Sequence, residues 1–110
     1  MNNELRDKII KFRDDRNWSQ FHNPKDLAIS LSLESSELLE VFQWKTSEEA
    51  INKSLPEMEE ELADIIIYSI LFADVIGVDI ERIVLDKLEQ NNNKYPVDKA
   101  FGKNDKYTDL

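Results

Sequence analysis

The stretch "LESSELLEVFQWK", residues 33–45, sets Glu34, Glu37 and Glu40 into what otherwise reads as the buried face of a helix. Leu33, Leu38, Leu39, Val41, Phe42 and Trp44 are their neighbours. Extended backwards, Leu27, Leu31, Glu34 and Leu38 fall on one helical ladder, so Glu34 stands where a core residue belongs. Carboxylates are almost never fully buried unless something compensates them. What compensates this one bears on both the fold and the function.

Outward from that stretch the chain reads as helix throughout. Only two glycines and three prolines occur in 110 residues, while Leu, Ile, Glu and Lys abound, which points to an all-α fold. A first helix is expected over about 3–15, with Leu5, Ile9, Ile10 and Phe12 as its apolar stripe. The aromatic-rich loop "NWSQFHNP" (17–24) follows, and Asn23-Pro24 opens a second helix running to about Gln43. "KTSEEAINKSL" (45–55) breaks the pattern, with room for a short helical turn, Pro56 opens a third helix and Gly77 closes it. Asp79 caps a fourth helix, with Ile80, Ile83, Val84 and Leu88 apolar, that ends before Pro96. The last fourteen residues, "VDKAFGKNDKYTDL", read as polar and extended. No repeat, linker or low-complexity segment divides the chain, so one domain over 1–110 is expected.

From Ile65 to Ile76 the third helix is apolar nearly all round. Such a helix needs cover on every side, which a chain this short does not readily supply alone, so a homo-oligomer is expected, with a central helix enclosed within a monomer as the alternative.

The bulk numbers exclude several functions. A net charge of −9 works against nonspecific binding to nucleic acid and against anionic membranes. There is no cysteine, hence no disulfide and no thiolate metal site. The start MNNELRDKII lacks the apolar core of a signal peptide, and the run Leu62–Val78 is short for a membrane span and carries Asp64 and Asp74. A cytoplasmic location is expected.

Six acidic pairs stand at i,i+3, against roughly five for random placement, so spacing alone decides nothing. Context does. Glu34 lies on an apolar ladder, Asp64 sits between Ala63 and Ile65, and Glu61, Asp64 and Tyr68 share one face. Two helices aiming such pairs inward would bring four negative charges together and raise their pKa values. Internal Lys or Arg partners, shared protons or a metal could offset them; the nearest Lys residues, Lys45 and Lys53, lie beyond the second helix, which favours a cation. Oxygen ligands suit Mg²⁺ or Mn²⁺. A di-iron centre would need two Glu-x-x-His motifs, and the single histidine, His22, follows no glutamate at that spacing. The competing reading leaves Glu34 and Glu37 at the core rim, paired with basic residues of another helix.

Two tryptophans, Phe21 and Tyr68 beside an acidic cluster are more than a small core requires. Flat indole faces stack nucleobases at about 1–3 kcal/mol each; core or interface packing is the alternative for Trp18 and Trp44, and a local loop hydrogen bond for His22. Lys87, Asn91 and Lys94 share a face of the fourth helix, able to meet phosphate oxygens or simply to face solvent.

Glu34-x-x-Glu37, then 23 residues, then Glu61-x-x-Asp64 resembles the paired motif of the MazG-like all-α nucleoside triphosphate pyrophosphohydrolases. "FHNPKDLAISLSLESSELLEVFQWK" (21–45), "EELADIIIY" (60–68), "KYPV" (94–97) and "KYTDL" (106–110) are similar, in order and spacing, to the small dCTP pyrophosphatase branch. The resemblance implies a four-helix MazG-like bundle assembling into dimers or tetramers. It implies hydrolysis of a dNTP to monophosphate and pyrophosphate as nucleotide-pool house-cleaning, with Mg²⁺ held by Glu34, Glu37, Glu61 and Asp64. It assigns Trp18 to His22 (Phe21 included) and Trp44 to the base, with Tyr68 near the sugar. Leu33 replaces a glycine frequent in the branch and Ile9 replaces a base-side histidine, which leaves the preferred base open. A noncatalytic helical association module is the alternative, with the apolar third helix as its partner surface.

Overall fold

The computed structural model describes residues 3–110, so the first two residues of the expected 1–110 domain lie outside it. The described residues contain no strand. Helix α1 spans Asn3–Asp15, α2 Pro24–Glu40, α3 Ser47–Ile76, α4 Ile80–Lys94 and the short α5 Val97–Ala100, with 3₁₀ turns at Trp18–Gln20 and Tyr107–Asp109. They form two compact units that divide between Val78 and Asp79.

In the first unit α1 ends where Asn17 takes a left-handed conformation (φ 54°), which an asparagine tolerates better than most residues. Asn23 caps α2: its side chain accepts from the Asp26 N–H at 2.9 Å, and Pro24 occupies the first turn, where its missing N–H costs nothing. Helix α2 stops at Glu40 rather than near Gln43, and the chain reverses through residues 41–44 to a left-handed Trp44 (φ 64°).

Helix α3 starts earlier than expected. Thr46 and Glu49 form a reciprocal capping box that starts the helix at Ser47, nine residues before Pro56. Pro56 does not begin a separate helix. It follows a kink at Ser54 (φ −133°, ψ 25°), which relieves the clash a proline ring makes inside a straight helix. Gly77 (φ 75°) ends α3 as expected, with Gly77 N–H bonded to Asp74 O and Val78 N–H to Ala73 O.

Helices α2 and α3 pack along one another, and α1 meets α3. The core is small: Ile9, Leu27, Ala50, Ile70, Leu71 and Ala73 are buried. Leu31, Leu38, Val41 and Phe42 complete the α2 stripe half-buried. One side of α3 stays open, with Leu62, Ile66 and Ile76 exposed.

In the second unit the Asp79 carboxylate caps α4 by accepting from the N–H groups of Glu81 and Arg82. The tail is not extended. It forms α5, turns at Gly102 (φ 74°) and places Tyr107 edge-on to Tyr95, with ring centroids 6.0 Å apart. Among the described residues no helix is long and apolar enough to cross a membrane.

Candidate active site

The packing of α2 along α3 brings the two carboxylate pairs together. Oxygens of Glu34, Glu61 and Asp64 all lie within 4.8 Å of one another. Glu34 and Glu61 are half-buried, and Oε2 of each is buried without a hydrogen-bond donor. Glu37, one turn beyond Glu34, is more exposed and lies near enough to Glu61 to raise its pKa. Glu40, the third glutamate of that stretch, is exposed and takes no part.

The electrostatics follow from this crowding. Glu61 is pushed up to about 7, chiefly by hydrogen bonding to Glu37, then by burial and by Glu34. Glu34 is raised by burial first, with Glu37 and Asp64 adding repulsion and a hydrogen bond from Glu61 opposing. Ion pairs among the described residues join Arg6, Lys8, Lys11, Arg13 and Lys25 to Glu4, Asp7, Asp14, Asp15, Asp26 and Asp74, outside the cluster. The reading in which basic residues of another helix neutralise Glu34 and Glu37 thus finds no support in them. Converging oxygens, two of them buried and orphaned, are the donor set a hard divalent cation takes.

Asp64 also borders a cleft of about 320 Å³. Lys8, Ile9 and Phe12 of α1 form one wall, Ile67, Tyr68 and Leu71 of α3 the other, and Trp18 and His22 close it from the loop. Phe12 and Trp18 meet edge to face at 5.7 Å, and the Arg16 guanidinium lies 3.8 Å over the Phe12 ring. The His22 ring sits 6.4 Å from Trp18 with Nδ1 buried and unpartnered. Burial, and then the charge of Arg13, lower its pKa, so the imidazole is neutral near pH 7. A mostly apolar slot with aromatic walls and a few polar atoms suits a flat heterocycle.

Trp18, His22 and Tyr68 therefore stand together beside the acidic cluster. Phe21 and Trp44 do not line the cleft; Phe21 is 63 % exposed and Trp44 92 %. In the second unit Lys87 and Asn91 line an apolar groove of about 400 Å³ with Ile83, Val84 and Leu88, while Lys94 Nζ lies 5.0 Å from the Tyr107 ring. Lys8 and Phe12 escaped the sequence reading as site residues. Their signal was an i,i+4 spacing at the edge of the α1 apolar stripe, which an ordinary core helix shows too.

Known proteins resemble this chain in sequence and fold. The MazG-like family model matches residues 29–110. The dCTP pyrophosphatase 1 of Rattus norvegicus is 38% identical over 112 residues, covering 97% of this chain and 66% of that protein. Its Homo sapiens counterpart is 36% identical with the same coverage, so the chain spans about two thirds of the length of these relatives. The crystal structure of a pyrophosphatase from Archaeoglobus fulgidus superimposes with a TM-score of 0.80 at 43% identity, covering 86% of this chain and 91% of that one. The chain belongs to the MazG-like family.

Proposed function

We propose that this chain is a nucleoside triphosphate pyrophosphohydrolase that hydrolyses a deoxynucleoside triphosphate to the monophosphate and pyrophosphate. The observation that carries the reading is the shared position of Asp64. It belongs both to the carboxylate cluster and to the border of the aromatic cleft, so a cation and a base have adjacent places. The relatives named as dCTP pyrophosphatase and as pyrophosphatase support the same chemistry.

Glu34, Glu37, Glu61 and Asp64 would hold Mg²⁺, with Mn²⁺ as a substitute. A divalent cation held there would supply positive charge against the triphosphate and would make water acidic enough to react near neutral pH. The chain does the rest. Trp18 and His22 take the base in the cleft, with Phe12 backing Trp18, and Tyr68 lies toward the sugar. Lys87, Asn91 and Lys94 serve the phosphate oxygens as cations and donors. The oxygen of water bonds to the α-phosphorus, the α–β bridging bond breaks, and pyrophosphate leaves with the bridging oxygen. A carboxylate of the cluster accepts the proton of the water.

The active form is a homo-oligomer, a tetramer in preference to a dimer, of single-domain subunits spanning 1–110. Leu33 and Leu39 on α2, Leu62 and Ile66 on α3, and Val84 and Leu88 on α4 are exposed in one chain and call for cover. Assembly also gives Trp44 and Phe21 a place against the base that a single chain leaves open. Free nucleotides of the cytoplasm are the intended substrates, in keeping with a house-cleaning role. A panel of dNTPs and NTPs with Mg²⁺ tests the reading: pyrophosphate release abolished by EDTA and restored by Mg²⁺ or Mn²⁺ is expected. Full turnover in metal-free buffer, or no turnover of any nucleotide, would sink it.

A further inference from the structure

Asp74 lies outside the carboxylate cluster, and the proposed reaction gives it no task. Its two oxygens are taken by two different guanidiniums: Arg6 Nη2 donates to Oδ1 at 2.8 Å, and Arg13 Nη1 to Oδ2 at 2.7 Å. Arg6 and Arg13 are two helical turns apart on α1 and so lie on one side of it. Arg13 is buried, and its Nε donates to Asp14 at 2.9 Å, which fixes the guanidinium from a second direction. The fork therefore straddles two turns of α1 from a single point on α3.

The position of the fork matters because of what stands next to it. Arg13 follows Phe12 directly, and Asp74 lies one turn beyond Leu71; Phe12 and Leu71 belong to opposite walls of the cleft. Apolar contacts hold helices together without fixing their register, whereas charged, directional hydrogen bonds define it. Stacking depends steeply on that register, since a gap of about 0.5–1 Å forfeits a quarter to a half of the attraction between facing atoms. The carboxylate cluster is built instead on α2 and α3, whose packing does not run through the fork.

We infer that Asp74 is a positioning residue: by clamping Arg6 and Arg13 it sets the width of the cleft between α1 and α3, and thereby nucleotide affinity. The inference rests on the proposed placement of the base in that cleft. It separates two properties that a general loss of structure would damage together. Binding depends on the fork; the chemical step, carried by α2 and α3, does not.

Three variants test it. Asp74→Asn keeps the shape, removes the charge and leaves Arg13 still bonded to Asp14. For dCTP with Mg²⁺, KM should rise about tenfold while kcat stays within about twofold of the parent. Asp74→Glu, which can still reach both guanidiniums, should restore most of the affinity. Arg6→Gln removes one arm of the fork and should raise KM by a smaller factor. Acrylamide quenching of Trp18 emission, in a Trp44→Phe background, reads cleft width without turnover and should increase in Asp74→Asn. A folded Asp74→Asn protein with the parent's KM and quenching overturns the inference, as does a loss confined to kcat. If Asp74→Asn does not fold, Arg6→Gln decides alone, and unchanged KM and quenching in it overturn the inference. If the parent hydrolyses no nucleotide, the proposed function fails, while the quenching comparison still decides whether the fork holds the cleft.

Discussion

Glu61 keeps its proton to about pH 7 because Glu37 faces it, with burial and Glu34 adding to the conflict. Its ordinary value is 4.5, so between these pH values the folded chain holds a proton that the unfolded chain releases. In EDTA this group therefore makes stability fall as pH rises through that window, with the loss complete above it. A cation competes with the same proton, so the Tm gain from millimolar Mg²⁺ should be larger at about pH 8 than at about pH 5.5. Melts at both pH values check this, and a gain independent of pH would mean that the cation binds elsewhere. Glu37→Gln relieves the crowding at its origin. The variant should be at least as stable as the parent in EDTA, gain less from Mg²⁺ and lose nearly all activity. Were Glu37 instead a structural partner of a basic group, its neutralisation would leave that charge uncompensated and lower Tm in EDTA. Glu34 stands out in the sequence because it falls on an apolar ladder, and Asp64 because it adjoins the run Ile65–Ile67, whereas Glu37 and Glu61 are singled out by the paired motif. Lys8 and Phe12 do not stand out, because nothing local distinguishes a side chain lining a cleft from one edging a core.

Helix α3 shows how two local signals compete. Thr46-x-x-Glu49 is a capping-box signature, and Pro56 is a helix-start signature ten residues later. Reading the proline as the start discards the box, whereas the chain uses both, placing the kink at Ser54 between them. The Thr46 hydroxyl accepts from the Glu49 N–H at 3.1 Å, and the returning bond from the Thr46 N–H to the Glu49 carboxylate is 3.4 Å. Thr46→Ala should cost about 1 kcal/mol, lowering Tm by several degrees. An unchanged melt would show that packing of Ala50 in the core, and not the cap, sets the start of α3. The ends of α2 and of the tail were legible only in part. The stop at Glu40 is imposed by the chain reversal through Trp44, and the tail folds because Tyr107 finds Tyr95 and Lys94, contacts that no helical period announces.

Each of the two units leaves large apolar side chains exposed. Leu39 on α2 is 72 % exposed, and α4 has no buried residue at all. Sedimentation at micromolar concentration should give a tetramer or a dimer, and a folded monomer would contradict the proposed assembly. The all-α class and the helix order were legible from composition, caps and apolar periods. The cleft was not, because it depends on α1 meeting α3 through pairs 61 and 68 positions apart in the chain. The sequence thus singles out the candidate carboxylates, and tertiary packing sets the aromatic cleft beside Asp64. Both meet in the reaction itself. The most direct test is hydrolysis of dCTP with Mg²⁺ in ¹⁸O-labelled water, following both products by mass. One pyrophosphate should appear for each monophosphate, with the label in the monophosphate. Release of orthophosphate would contradict α–β cleavage and with it the proposed function, and label in the pyrophosphate would contradict attack at the α-phosphorus.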